Sequence, residues 1–386
     1  MELNVIKEKS GGLTAIILMM VVIFSVFSQV VAVEKIARPS MYALWVIALI
    51  YGTIRNDGKV RLGSFSKIFL VGYGMFWIYC TIVGMFNGKH FEANYIRALV
   101  KPLIVTIVGE MYYNTSRSLI NQIGRIYLIC AVVFAIWVQV TFLPSYSTWL
   151  TTRIYLFGEK NSAGQIWISA ILIALVLIDY KNILDRLLSY IACLYLLIMT
   201  GICQCRTSLL GFVICFVCYG VYKSKNKIKW ILCICVIGVL VWFIPFTHQF
   251  IEQALFLNKY AGADLNTFSS GRINLIIKAL HRFSAIPIIG LGKYYVDCSY
   301  VLILAETGII GFLIIEWIWF NKLKQCVFYK GEKKEQAFLF IIAIFYVVES
   351  MLEGYPPFGP GVSSFMFWLV SGLLINRKKD SQEGKI

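Results

Sequence analysis

Apolar runs of membrane-spanning length recur along almost the whole chain, separated by short polar or basic connections. Crossing a bilayer core as a helix takes about twenty apolar residues, fewer where a segment is tilted or partly re-entrant. By that measure the pattern predicts helices at 12–33, 39–54, 67–86, 97–113, 125–143, 162–179, 187–203, 207–222, 228–246, 299–320, 336–352 and 361–376. The second, eighth and twelfth are short enough to be tilted or partly re-entrant. Lys7 and Lys9 precede an apolar stretch from Gly12 to Val33 that exceeds a signal-peptide core, so it reads as a retained first helix. The expected fold is all-α, a polytopic membrane protein of about twelve transmembrane helices. It is read as one domain over 1–386.

One stretch departs from the pattern. Residues 247–298 form a long connection between the ninth and tenth segments, and loops of that size tend to be functional. Within it, 271–283 places apolar residues at helical spacing with basic residues between them. That pattern predicts an amphipathic helix at the membrane surface, capped by Ser269 or Ser270.

Composition narrows the class. The chain has 386 residues, 59% hydrophobic and 15% charged, where a soluble protein carries nearer a quarter charged. The net charge of +16 is not a nucleic-acid signal, because the basic residues sit in short clusters between apolar segments. With the N-terminus on the cytoplasmic side, 23 of the 36 Lys and Arg residues fall inside and 13 outside. The positive-inside bias therefore places both termini in the cytoplasm and the 247–298 connection outside. Most of the cysteines lie in apolar segments and behave as small hydrophobes. Cys203 and Cys205 lack nearby histidines, and no Asp-x-Asp occurs, so neither metal nor cofactor is expected.

Polar residues without a topological purpose collect on the predicted outer side. Arg97 and Lys101 share a helix face. Arg153 precedes Gly158, Glu159, Lys160, Asn161 and Gly164 at a helix start, and Arg206 sits with Thr207 and Ser208 in a very short connection. Arg272 and Arg282 flank the loop helix, followed by Gly290-Leu291-Gly292, Asp297 and Tyr300. Glu306 lies within the tenth segment, and Glu349 and Glu353 end the eleventh. Outward arginines with glycine turns and helix N-termini suit a pyrophosphate beside the bilayer. Lipid head groups are the plainer partner for any single arginine. Glu306 reads equally as a catalytic group or as a structural ion-pair partner, because a carboxylate inside a membrane is costly. His90, His248 and His281 read as ordinary solvated side chains.

Four pieces together give the chain a family resemblance. They are Arg153 with Gly158, Asn161 and Gly164; Arg206-Thr207-Ser208-Leu209-Leu210-Gly211; Ser270-Gly271-Arg272 followed by Ile286-Pro287-Ile288-Ile289-Gly290-Leu291-Gly292; and Ser299-Tyr300-Val301 followed by Leu304-Ala305-Glu306-Thr307-Gly308. In order and spacing the chain resembles the O-antigen and capsular polysaccharide polymerases (Wzy-like), which are related to the O-antigen ligases. The resemblance implies a metal-independent glycosyltransferase of the bacterial plasma membrane. It would join polyprenyl-pyrophosphate-linked oligosaccharide repeat units into an O-antigen, capsule or exopolysaccharide. A flippase and a chain-length regulator are the further partners implied.

On that resemblance Arg153, Lys160, Asn161, Arg206, Arg272 and Tyr300 are expected to hold pyrophosphate or glycan. Asp297, Glu306 or Glu353 is expected to act as base. Ligase-like members carry a His-Asn pair where this chain has Asp297 and Cys298, which favours a polymerase over a histidine-assisted ligase. A ligase-type transferase and a flippase or transporter remain the alternatives.

Overall fold

The computed structural model describes residues 2–86, 94–113, 115–142, 160–224, 226–255, 264–359 and 363–375. Every regular element among them is helical. In chain order these are α1 (Glu2–Phe27), α2 (Glu34–Arg55), α3 (Ser64–Phe86), α4 (Asn94–Met111) and α5 (Arg117–Phe142). Then come α6 (Lys160–Leu172), which runs on through a π turn at Ile173–Leu177, α7 (Ile183–Ile202), α8 (Arg206–Lys223) and α9 (Lys227–Phe243). The connection that follows contains α10 (Pro245–Leu255), the single turn α11 (Leu265–Phe268) and α12 (Arg272–Phe283). The chain closes with α13 (Ser299–Val327), α14 (Lys333–Leu352) and α15 (Phe365–Ile375).

Each of the twelve apolar segments overlaps one of these helices, but the helices are not equally suited to a membrane. Seven are long and apolar enough to cross one: α3, α5, α6 with its π turn, α7, α8, α13 and α14. Helix α2 carries Glu34, Lys35 and Arg38 in its first turns, and α4 carries Arg97, Lys101 and Glu110. Helix α9 is only 17 residues long. The apolar parts of α1 and α15, Gly12–Phe27 and Phe365–Ile375, are shorter again. Helices α7 and α9 expose many apolar side chains, among them Ile183, Leu187, Ile191, Leu194, Ile231 and Leu240. An apolar exterior of this kind suits lipid rather than water.

The bundle is held by close helix contacts at small residues. Helices α4 and α15 meet at Gly109 and Gly372, where a Cβ on Gly109 would lie 2.6 Å from the Leu369 carbonyl oxygen. Gly164 lets α6 approach Cys205 and Ser208 at the start of α8, and Gly211 lets α8 approach Phe345 of α14. Small residues at crossings are how helices pack without a hydrophobic driving force between them. Helix α15 is buried almost throughout, with Trp368 against Phe65, Phe69, Phe358 and Trp319.

Helix α13 is not continuous. Gly308 has φ 67° and ψ −177°, so the span consists of two helical pieces that meet at a break. The segment before α13 fills that break: Leu291 and Gly292 donate their N–H groups to the carbonyls of Ala305 and Glu306, at 2.8 and 3.0 Å, and Ile309 donates to Pro287 at 2.9 Å. The Tyr79 hydroxyl of α3 donates to the Thr307 carbonyl at 2.7 Å. Backbone groups freed by a broken helix are thus satisfied by protein, as membrane depth demands. Gly290 and Gly308 lie back to back, and a Cβ on Gly290 would sit 2.4 Å from the Gly308 nitrogen. Both have positive φ, so any side chain there would be strained as well as crowded.

The loop helix is present, as Arg272–Phe283, with basic residues in its last turn. Of the two expected serines, Ser269 bonds the first turn but does not occupy the N-cap position. Gly271 occupies the N-cap in a left-handed conformation with no side-chain bond, while Ser270 also has positive φ. The orphan N–H groups are satisfied from further back: Ser269 Oγ accepts from Ile273 at 3.3 Å, and Asn266 Oδ1 accepts from Asn274 at 2.9 Å.

Candidate functional site

Four elements converge where α12 meets the ends of α6 and α14. Helix α12 contributes Arg272 from its first turn, the segment before α13 contributes Asp297, the end of α14 contributes Glu353, and α6 contributes Asn161. The guanidinium of Arg272 is divided three ways. Nε lies 3.3 Å from Asp297 Oδ2, Nη2 lies 2.8 Å from Glu353 Oε1, and Nη1 donates to the Leu352 carbonyl at 2.7 Å. Asn161 Nδ2 donates to the same Glu353 oxygen at 2.9 Å. Tyr295 donates its hydroxyl to Asp297 at 2.6 Å. Glu353 is buried, whereas Arg272 and Asp297 keep roughly a fifth of their side-chain surface open to the outside.

Among the described residues, one cation serves two carboxylates, and the electrostatics follow from that. Burial and the neighbouring Asp297 raise the Glu353 pKa above the ordinary glutamate value, against the pull of Arg272 and Asn161. Burial would lower the Arg272 pKa, but Glu353 and Asp297 outweigh it and raise the value. Arg272 is therefore a fixed positive charge, and Glu353 is a carboxylate that holds a proton more readily than usual. A carboxylate tuned upward in this way is suited to accept a proton from a hydroxyl at neutral pH.

One turn deeper the arrangement repeats. Glu349, fully buried, accepts from Ser208 Oγ of α8 at 2.7 Å and from Gln165 Nε2 of α6 at 3.0 Å. Asn161 and Gln165 on α6 thus face Glu353, just past the end of α14, and Glu349 within it, two pairs at the same four-residue spacing. Ser208 belongs to the Arg206-Thr207-Ser208 stretch noted in the sequence, whereas Gln165 carries no such mark there. The matching four-residue steps, Asn161/Gln165 and Glu349/Glu353, were the available signal.

The other expected site residues divide. Arg206 is half-buried and donates to Ser270 Oγ at 2.6 Å, which brings α8 to the turn that precedes Arg272. Lys160 begins α6 beside them, and its carbonyl accepts from the Cys205 thiol at 3.1 Å. Tyr300 is partly buried against the apolar core. Glu306 is not in this cluster: it lies fully buried at the break in α13, where its carbonyl accepts from Gly292. Arg153 falls outside the described residues. Arg97 is exposed, and Lys101 lies over the Tyr42 ring at 5.9 Å.

Comparison with protein-family models finds none that matches this chain, and no curated protein matches it significantly.

Proposed function

We propose that the protein is a polysaccharide polymerase of the bacterial plasma membrane. It would join polyprenyl-pyrophosphate-linked oligosaccharide repeat units at the outer face. The observation that carries this reading is the Arg272 cluster, in which a buried carboxylate with a raised pKa sits beside the fixed Arg272 cation where the loop helix meets the ends of two apolar helices. The twelve-span topology, with both termini inside, rests on the apolar pattern and the asymmetry of Lys and Arg. In that orientation the cluster opens to the outer leaflet.

In the proposed reaction Glu353 takes the proton of an acceptor sugar hydroxyl. The hydroxyl oxygen then forms a bond to the anomeric carbon of the donor glycan. The bond from that carbon to the pyrophosphate oxygen breaks, and polyprenyl pyrophosphate departs with the electron pair. Arg206, Lys160 and Arg153 are the cations assigned to that leaving group. Arg272 keeps Asp297 and Glu353 in place, a narrower role than direct pyrophosphate binding, because all three faces of its fork already have partners. Asn161 and Tyr300 are assigned to the glycan.

One observation favours a second reading, a transporter of lipid-linked sugar. The break at Gly308 resembles the discontinuous helices that form transport sites. Clean deletion of the gene separates the two. Loss of the high-molecular-weight ladder with single repeat units still exported indicates the polymerase. Loss of all surface glycan, with lipid-linked units trapped in the cytoplasmic leaflet, indicates transport and overturns the proposal. Accumulation of full-length polymer on its lipid carrier indicates a ligase-type transferase.

A further inference from the structure

The opposite end of the bundle holds a second polar site that the proposed reaction does not use. Helix α6 with its π turn covers about 27 Å between the two ends over 18 residues. Here the last turn of α2, the turn that follows it and the end of α4 enclose a cleft of about 170 Å³. Arg55, Asn56, Asp57, Arg61 and Tyr113 are among its walls. Asn56 Nδ2 fixes the turn by donating to the Gly52 carbonyl at 2.8 Å.

The two arginines are tethered but not neutralised. Arg55 Nη1 donates to Thr14 Oγ1 at 3.0 Å, and Arg61 Nη1 donates to the Tyr113 hydroxyl at 2.6 Å. Each bond uses one of five N–H donors. Among the described residues neither arginine is in an ion pair, even though Asp57 lines the same cleft. Arg38, Arg117, Arg125 and Arg272 all sit on carboxylates. Two guanidinium forks therefore face one small cleft with a net positive charge. Planar forks of this kind match the oxygens of a phosphate group. Beside the cleft, Ile50, Ile54 and Val60 are more than half exposed, an apolar flank of the kind acyl chains cover.

The geometry points to a phosphate-binding site in the Arg55–Arg61 cleft, filled by the headgroup of an anionic phospholipid. The inference needs neither the proposed reaction nor the proposed orientation. In that orientation the site faces the cytoplasmic leaflet, where anionic lipids attract basic segments.

The test uses the purified full chain in mild detergent, with native mass spectrometry counting retained lipid. Phosphatidylglycerol and phosphatidylcholine are the probes, and inorganic phosphate is the competitor. The wild type is expected to retain phosphatidylglycerol over phosphatidylcholine. The Arg55→Gln/Arg61→Gln double variant is expected to lose that retention by about tenfold or more, as the loss of two charge-assisted contacts implies. Equal retention by the double variant overturns the site. Displacement of the lipid by millimolar inorganic phosphate assigns the forks to a soluble phosphate and overturns the lipid source. If the double variant does not fold, Arg61→Lys carries the test. It keeps the charge but loses the fork, and is expected to retain severalfold less lipid with an unchanged lipid-free melting temperature. Wild-type retention by Arg61→Lys overturns the bidentate contact.

Discussion

The two ends of the bundle both tie arginine to buried or half-buried carboxylates, yet with opposite consequences. Around Arg117, cations and carboxylates balance: Arg117 meets Asp179 at 3.0 Å and Glu335 at 3.1 Å, and Lys334 also pairs with Asp179. Burial alone would raise the Asp179 pKa, but hydrogen bonds from Lys334, Arg117 and Asn121 bring it down to about 2. The same groups finish α6, since Arg117 Nη2 and Lys334 Nζ donate to the carbonyls of Leu177 and Ile178. Around Arg272 one cation serves two carboxylates, with Glu349 a turn deeper, and Glu353 is pushed the other way. A balanced cluster fixes charge and splices helices together. A cluster with one cation for two carboxylates among the described residues keeps a proton within reach. The same residue types thus make a staple at one end and a candidate base at the other.

Removing each arginine in turn separates the two ends by the largest expected effects. Arg272→Met is expected to abolish polymer on a surface-polysaccharide gel, and the unpaired Glu353 to cost about 3–5 kcal/mol in unfolding measurements. Arg117→Met is expected to cost about 3 kcal/mol, because it removes a buried ion pair to Glu335. Protein that still folds should nevertheless make polymer of normal length. Loss of polymer at normal stability in Arg117→Met would erase the distinction between the ends.

A smaller effect sharpens the same contrast through pH. The depressed Asp179 stabilises the fold above its ordinary pKa near 4, and that contribution is lost as pH falls toward about 2. Its side chain is nearly half exposed, so after screening Asp179→Asn should cost only about 1 kcal/mol at neutral pH, read as a shift in melting temperature. Glu353 has the opposite sign. Its raised pKa contributes stability below the ordinary glutamate value that is lost as pH rises through the raised one. The smallest effect is expected at exposed Arg97. Arg97→Ala should leave polymer length unchanged and stability within about 0.5 kcal/mol.

Much of this was legible in the sequence, and what was not has a common cause. Local periodicity marked the apolar helices and the loop helix, because both signals lie within a few turns of chain. Arg206, Arg272 and Glu353 stood out as polar residues beside apolar runs. Their pairing was hidden because Arg272 and Glu353 are 81 residues apart, and nothing local records which arginine meets which carboxylate. Glu306 stood out on the same grounds, yet it lies at the break in α13 rather than beside Arg272. Gly290-Leu291-Gly292 read as a turn or phosphate cradle, and Gly290 instead packs its backbone against Gly308. Lys322 is one of the 23 basic residues placed inside by the Lys and Arg asymmetry. Because α13 continues to Val327, Lys322 is fully buried, with Nζ 4.6 Å from the centre of the Phe65 ring and close to Trp368 and Phe367.

Glu353, held by Arg272 and Asn161, is the proposed base of the glycan-joining reaction. The most direct measurement is polymerisation by the purified protein in liposomes supplied with lipid-linked repeat units, followed across pH for the wild type and Glu353→Gln. Glutamine keeps the shape and can still accept from Arg272 and Asn161, so the fold should survive. The wild type should show a rate that climbs with pH through an apparent pKa above that of ordinary glutamate. Glu353→Gln should be about 10²–10⁴-fold slower with that limb gone, at an unchanged melting temperature. A Glu353→Gln rate and pH profile matching the wild type would contradict the assignment.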